Sequence, residues 1–231
     1  MTMLTIEPLD HAGSFEAYVA EPAGTPRAAI VVIQEIFGIN PGIRAKCDRL
    51  AADGYLAIAP DLFWRIAPGI QLDPDVPDQM QQAFALMGKF DQNQGVADIE
   101  ATIRAARAKL GGGKVGAVGY CLGGRLAYMV AARTDVDASV GYYGVGIDGL
   151  LGEKHAIARP LLLHIPEEDH FVDKAAQAAM HAGLDDHPRV TLFDYPGEDH
   201  GFATETGNRR SDASAELADQ RTADFFAANL G

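Results

Sequence analysis

Cys121 stands between glycines in the stretch Lys114-Val-Gly-Ala-Val-Gly119-Tyr120-Cys121-Leu122-Gly123-Gly124. A short apolar run precedes it and a helical pattern follows, which puts the thiol on a sharp strand-to-helix turn. Such a turn needs glycine two residues to either side, because larger side chains there would strike the neighbouring strand and helix. The turn also sets Cys121 at a helix N-terminus. The positive end of the helix dipole favours thiolate over thiol, and the thiolate is the reactive form. The chemistry of a thiolate so presented is attack on a carbonyl carbon. The plain alternative is a buried cysteine in a tight turn. The strand before it and the helix after it favour the reactive reading.

A nucleophile of this kind needs a base and a group that orients the base. In the elbow pattern they follow in the order nucleophile, acid, histidine. Glu167-Glu168-Asp169-His170 comes directly after the apolar run Leu161–Ile165, and Pro196-Gly197-Glu198-Asp199-His200-Gly201-Phe202 follows Val190–Phe193. Both lie in loops at the C-terminal ends of expected parallel strands, where open α/β sheets place their ligands. His200 is read as the base and Asp169 as its orienter. Glu168 competes for the second role but reads equally as a solvated loop acid. His170 is expected to be structural or at the surface. His11, His155, His164, His181 and His187 show no catalytic pairing. Glu35 ends the run Ile30–Ile33 and so emerges at the same sheet edge as Cys121. An acid beside a thiol disfavours thiolate and can accept the thiol proton in a hydrogen bond. From the residues alone Glu35 reads as a capping or loop carboxylate.

These residues need a scaffold, and the chain alternates short apolar runs with helical patterns. Ile30–Ile33, Leu56–Ala59, Val115–Val118, Ala138–Tyr143, Leu161–Ile165 and Val190–Phe193 read as buried strands. Val96, Ile99, Ile103, Ala106 and Leu110 share one helix face, and Leu122, Leu126 and Met129 another. Cys47 lies in a helical pattern with Ile43, Leu50 and Ala51 and reads as a small buried hydrophobe. Ala213, Leu217, Arg221 and Phe225 mark a final helix. Such alternation predicts an α/β-hydrolase-type architecture, a mostly parallel central sheet flanked by helices on both faces. Leu4–Pro8 and Phe15–Ala20 can add an antiparallel hairpin at one edge. The proline-rich stretch from Phe63 to Asp78 reads as a surface excursion leading into a helix over 79–90.

The chain has 231 residues, within the range of one α/β domain spanning 1–231. Its formal net charge of −13 argues against nucleic acid and anionic membrane as partners. No secretory signal is visible at the N-terminus. Cys47 and Cys121 are far apart and suggest no disulfide framework, so a cytoplasmic setting is expected. No metal-binding spacing occurs, and no cofactor is expected. Gly144-Val-Gly146-Ile-Asp-Gly149 matches a dinucleotide fingerprint in letters. The segment after it leaves little room for the helix that a pyrophosphate would need, so it reads as a loop.

The whole pattern resembles the dienelactone hydrolase (carboxymethylenebutenolidase) family. The resemblance rests on Gln34-Glu-Ile-Phe-Gly-Ile-Asn40, Phe90-Asp-Gln-Asn-Gln-Gly-Val-Ala-Asp98, Gly119-Tyr-Cys-Leu-Gly-Gly124, Gly141-Tyr-Tyr-Gly-Val-Gly146, Asp169-His-Phe-Val172 and Asp199-His-Gly-Phe202. It implies a triad of Cys121, Asp169 and His200, with Glu35 beside the thiol in the resting state. It implies an oxyanion hole from the backbone N–H of Ile36 and Leu122, and a substrate pocket near Phe37, Met80, Phe84, Phe202 and Thr204. The family binds its substrate carboxylate with two arginines. The corresponding positions align here with Met80 and Thr204, so neutral enol lactones or aryl esters are expected to compete well with carboxylated ones, unless Arg65, Arg209 or Arg210 supplies the charge from elsewhere. The expected function is hydrolysis of a small ester or lactone through a thioester. Two other readings stay open: a broad carboxylesterase for activated neutral esters, and a cysteine-dependent redox or thiol-transfer protein.

Overall fold

The computed structural model describes residues 2–205 and 207–231. Eight strands form one sheet: β1 (Thr2–Ile6), β2 (Phe15–Ala20), β3 (Ala29–Ile33), β4 (Leu56–Pro60), β5 (Val115–Tyr120), β6 (Ala138–Tyr142), β7 (Leu161–Pro166) and β8 (Val190–Tyr195). Their order across the sheet is β1-β2-β4-β3-β5-β6-β7-β8. β1 pairs antiparallel with β2, and β2 antiparallel with β4, which is the expected edge hairpin. From β4 to β8 every pairing is parallel.

The central strands are apolar on both faces, because both are covered. In β3, Ala29, Val31 and Ile33 face one side, which holds α3 (Gln92–Lys109) and α4 (Leu122–Arg133). Ile30 and Val32 face the other, which holds α1 (Pro41–Ala52) and α6 (Asp212–Leu230). Beyond β6, a third cluster packs Leu161, Leu163 and Ile165 of β7 against Tyr128 and against Met180 and Leu184 of α5 (Lys174–Leu184). This is the α/β-hydrolase arrangement that the strand–helix alternation predicts.

Three details differ from the expectation. The helix placed over 79–90 is α2 (Pro77–Met87). Pro77 starts it, since a proline lacks only an amide that the first turn leaves unpaired anyway. The excursion before it is not confined to the surface, because Leu62, Phe63 and Leu72 are buried and anchor it to the core. In α6 the buried face runs through Ala215, Ala218, Thr222 and Phe226, while Leu217 is 48% exposed. The helix is where the spacing puts it, but its inner face lies one residue further on, through Ala218, Thr222 and Phe226 rather than Leu217, Arg221 and Phe225. The expected inner face of α3 holds: Val96, Ile99, Ile103 and Ala106 are buried. Gly144–Gly149 leads into a 3-10 helix, Asp148–Ala156, rather than an α-helix with a ligand-binding N-terminus.

Candidate active site

Cys121 joins β5 to α4 with φ 56° and ψ −114°. A non-glycine residue in that region is strained by about 1–3 kcal/mol and persists only where its surroundings impose it. Here they do. A Cβ at Gly119 would run into the carbonyl of Gly123, and one at Gly123 into the carbonyls of Ile33 and Gln34. The two glycines thus let α4 start directly against β5 and β3. The Cys121 amide donates to the Tyr142 carbonyl at 3.1 Å, which ties the turn to β6. The thiol is half-buried.

Beside it lies a buried acid–base pair. His200 Nδ1 lies 2.9 Å from Asp169 Oδ2 and 3.1 Å from Oδ1. Both residues are buried. The Phe171 amide donates to Asp169 Oδ1 at 2.8 Å and fixes the carboxylate from its own loop. Burial by itself would weaken the His200 imidazolium. The charge of Cys121 and the hydrogen bond to Asp169 outweigh it, and the group is raised from 6.5 to about 10. The sulfur is thus an electrostatic neighbour of the ring, yet Nε2 makes no hydrogen bond of good geometry. Edges and faces of Tyr143 and Phe171 confine the imidazole, with ring centroids 5.0 and 4.8 Å away.

Glu35 comes off the end of β3 and is 7% exposed. Its Oε1 has no partner, and burial raises its carboxyl above the usual range despite the charges of Arg209, His200 and Lys46. Arg209 brings a cation to the same place. Its guanidinium carbon lies 5.7 Å from the centre of the Phe37 ring and packs against Gly201. Its Nε and Nη2 are buried without a partner among the described residues. Tyr143 adds an unpartnered buried hydroxyl, and so does Thr204 in the loop between His200 and Arg209. Buried polar atoms are normally paired, so a gathering of orphans marks a place for a polar ligand or water. Among the described residues, no acceptor takes the backbone N–H of Ile36 or of Leu122.

The other sequence candidates go elsewhere. Arg65 is held by Asp98 at 2.9 Å and Asp10 at 3.0 Å and stacks on Trp64. Arg210 pairs with Asp212 at 2.8 Å and donates to the Thr204 carbonyl. Glu168 is exposed, and its carboxylate meets Lys174 rather than His200. Of the pocket residues, Phe37 and Phe202 are buried, with Phe202 5.8 Å from Tyr143 between ring centroids. Met80 is half-buried against the core, and Phe84 is 41% exposed. His164 is buried in β7 and pushed down to about 3 by that burial, so it stays neutral between the Tyr195 and Thr222 hydroxyls. Cys47 is buried, and burial pushes its thiol up.

Three residues escape a reading of the sequence. Tyr143 has φ 39°, a strained value that residue type does not announce. Phe171, 44% exposed, lies against His200. One oxygen of Asp199 accepts from the His170 amide and ring and from the His200 amide. The position of Phe171 two residues after Asp169 was its one available signal.

Residues 15–230 match the model of the dienelactone hydrolase family. The chain belongs to that family. It is accordingly a carboxylic-ester hydrolase, lactones being cyclic esters. A relative from Azospirillum brasilense is 48% identical over the full length of both chains. A carboxymethylenebutenolidase from Pseudomonas putida is 42% identical over 93% of this chain and 91% of its own. A crystal structure of a Klebsiella pneumoniae protein superposes with a TM-score of 0.83 at 28% identity and covers 98% of each chain. No helix among the described residues is long and apolar enough to cross a membrane.

Proposed function

We propose that this dienelactone hydrolase family member opens a small, carboxylate-bearing enol lactone through a thioester on Cys121. The observation that carries the reading is the buried Asp169–His200 pair, whose free Nε2 is an electrostatic neighbour of a strained, half-buried thiol. The chain's similarity to a carboxymethylenebutenolidase at 42% identity supports the reading.

His200 accepts the thiol proton, and Asp169 holds the imidazolium that results. The sulfur adds to the carbonyl carbon, and the carbonyl π-electrons move to oxygen. The N–H groups of Ile36 and Leu122 receive that oxyanion. Collapse breaks the ring C–O bond, and the leaving enolate takes the proton from His200. A water, deprotonated by His200, then adds to the thioester. The second collapse expels the thiolate, which regains its proton. Thiolate leaves more readily than an amide nitrogen, so activated esters go forward and amides revert. Glu35 keeps a proton acceptor beside the thiol until substrate arrives. Arg209 faces the substrate carboxylate from beside Phe37, which favours an acidic substrate over a neutral ester.

The test is trapping. Mass spectrometry of enzyme quenched during turnover of an aryl ester should show acyl on Cys121, and Cys121→Ala should show neither adduct nor turnover. An adduct on Cys47 or a serine, with Cys121→Ala active, overturns the proposal.

A further inference from the structure

A cavity of about 470 Å3 lies between the edge hairpin and the segment that follows β4. Its walls bring together Phe15 and Tyr18 of β2, Ile39, Trp64 and Ile70, and Arg44 of α1. None of these is a residue of the Cys121 site. The size is that of a small-molecule pocket, and such pockets combine an apolar lining with a few placed polar groups.

Among the lining residues Arg44 is the one cation, and the carboxylates of Glu16 and Asp61 and the amide of Gln71 share the walls with it. Arg44 Nη1 donates to the Ile39 carbonyl at 2.7 Å and to Gln71 Oε1 at 2.6 Å, both neutral acceptors. Among the described residues Arg44 forms no ion pair, while six of the other twelve arginines do. The carboxylates in and beside the cavity are turned toward neutral donors rather than toward Arg44. Asp61 accepts from the Phe63 and Gly69 amides within its own loop. Glu16 accepts from the Thr5 hydroxyl, and Asp48 from the Tyr18 hydroxyl. A guanidinium prefers a bidentate carboxylate to single neutral acceptors. Trp64 is held by its indole N–H on Asp98 and stacks on Phe15 with ring centroids 5.6 Å apart. That leaves a rigid aromatic wall facing the same space as the cation.

We propose that this cavity is a binding site for a flat, apolar monocarboxylate. Its ring packs against Trp64, Ile39 and Ile70, and its carboxylate meets Arg44. The site is separate from the catalytic one and works whether or not Cys121 is free.

Trp64 is the single tryptophan of the chain, so its fluorescence reports on this cavity alone. The probes are 4-nitrobenzoate and the neutral 4-nitrobenzamide, both quenchers of indole emission. They are titrated into protein whose Cys121 has been alkylated with iodoacetamide. The expected result is saturable quenching by the carboxylate, with an affinity roughly tenfold or more above that of the amide. Arg44→Gln should bring the two affinities together, and Arg44→Lys should keep part of the difference. Circular dichroism matching the parent shows that each variant is folded, and calorimetry on the folded variants gives the same affinities without fluorescence. The proposal is overturned by quenching that does not saturate, by equal affinities in the parent, or by a difference that survives Arg44→Gln. It is also overturned if only protein with a free Cys121 binds, which would assign the ligand to the catalytic site.

Discussion

Arg209 lies over Phe37 with its guanidinium carbon 5.7 Å from the ring centre, and two of its nitrogens are buried without a partner among the described residues. A cation that gives up water without gaining a protein partner is costly, unless a ligand completes it. Arg209→Met should therefore raise KM for a carboxylated lactone and leave its methyl ester little changed. Loss of one charge-assisted hydrogen bond, worth about 1.5–3 kcal/mol, predicts a fall of roughly tenfold or more in the acid-to-ester ratio of kcat/KM. Equal losses on both substrates would show that Arg209 has only a structural role.

The backbone strain at Cys121 predicts a stability gain on removing its side chain. Cys121→Gly should unfold at higher temperature than Cys121→Ala, because glycine accepts φ 56° without a Cβ penalty. A difference of about 1 kcal/mol is roughly 2–4 °C in Tm for a domain of this size. Both variants should lack esterase activity. Equal melting temperatures would mean that the turn stores no strain.

His200 should respond to the charge of Cys121. The imidazolium is raised from 6.5 to about 10, and among the causes that raise it the Cys121 charge comes first. The stability it contributes is full below 6.5 and is lost as pH rises toward about 10. Alkylating Cys121 removes the group that can carry that charge, so the His200 ring should titrate at lower pH and that loss should begin earlier. NMR titration of the ring in native and alkylated protein measures the shift. An unchanged titration would place the sulfur too far away to act as partner.

Glu35→Gln should stabilise the protein at neutral pH. Burial raises the Glu35 carboxyl above its ordinary 4.5, so the folded state binds a proton more tightly than the unfolded one. Its charge therefore costs stability that grows as pH climbs from 4.5 through the raised value. The variant should gain on the order of 1 kcal/mol above that window and nothing below it. A gain that is flat with pH would point to packing instead.

Much of this was legible in residue order. The strands, the edge hairpin, and the Cys121, Asp169 and His200 loops all follow from short apolar runs bounded by turn formers. The helix α5 was not read, because Lys174-Ala-Ala-Gln-Ala-Ala carries little apolar periodicity, and the Asp173 cap on the Ala176 amide is a weak signal. Leu217 shows the limit of period reading, since an apolar residue in the right pattern still faces outward. Arg209 was one of three candidates on sequence, and only tertiary placement separates it from Arg65 and Arg210. Tyr143 and Phe171 depend on loop conformation after β6 and β7, which no local pattern encodes.

The Asp199 carboxylate has a practical consequence for anyone recombining this protein with its relatives. One of its oxygens accepts from the His170 amide and ring as well as from the His200 amide, and together with the Asp169–His200 pair and the Glu168 amide on the Glu198 carbonyl it staples the segments after β7 and β8 to each other. A graft that replaces either segment alone inherits half of that staple. Chimeras should therefore be cut outside both segments, with residues 167–173 and 196–205 exchanged as a single cassette.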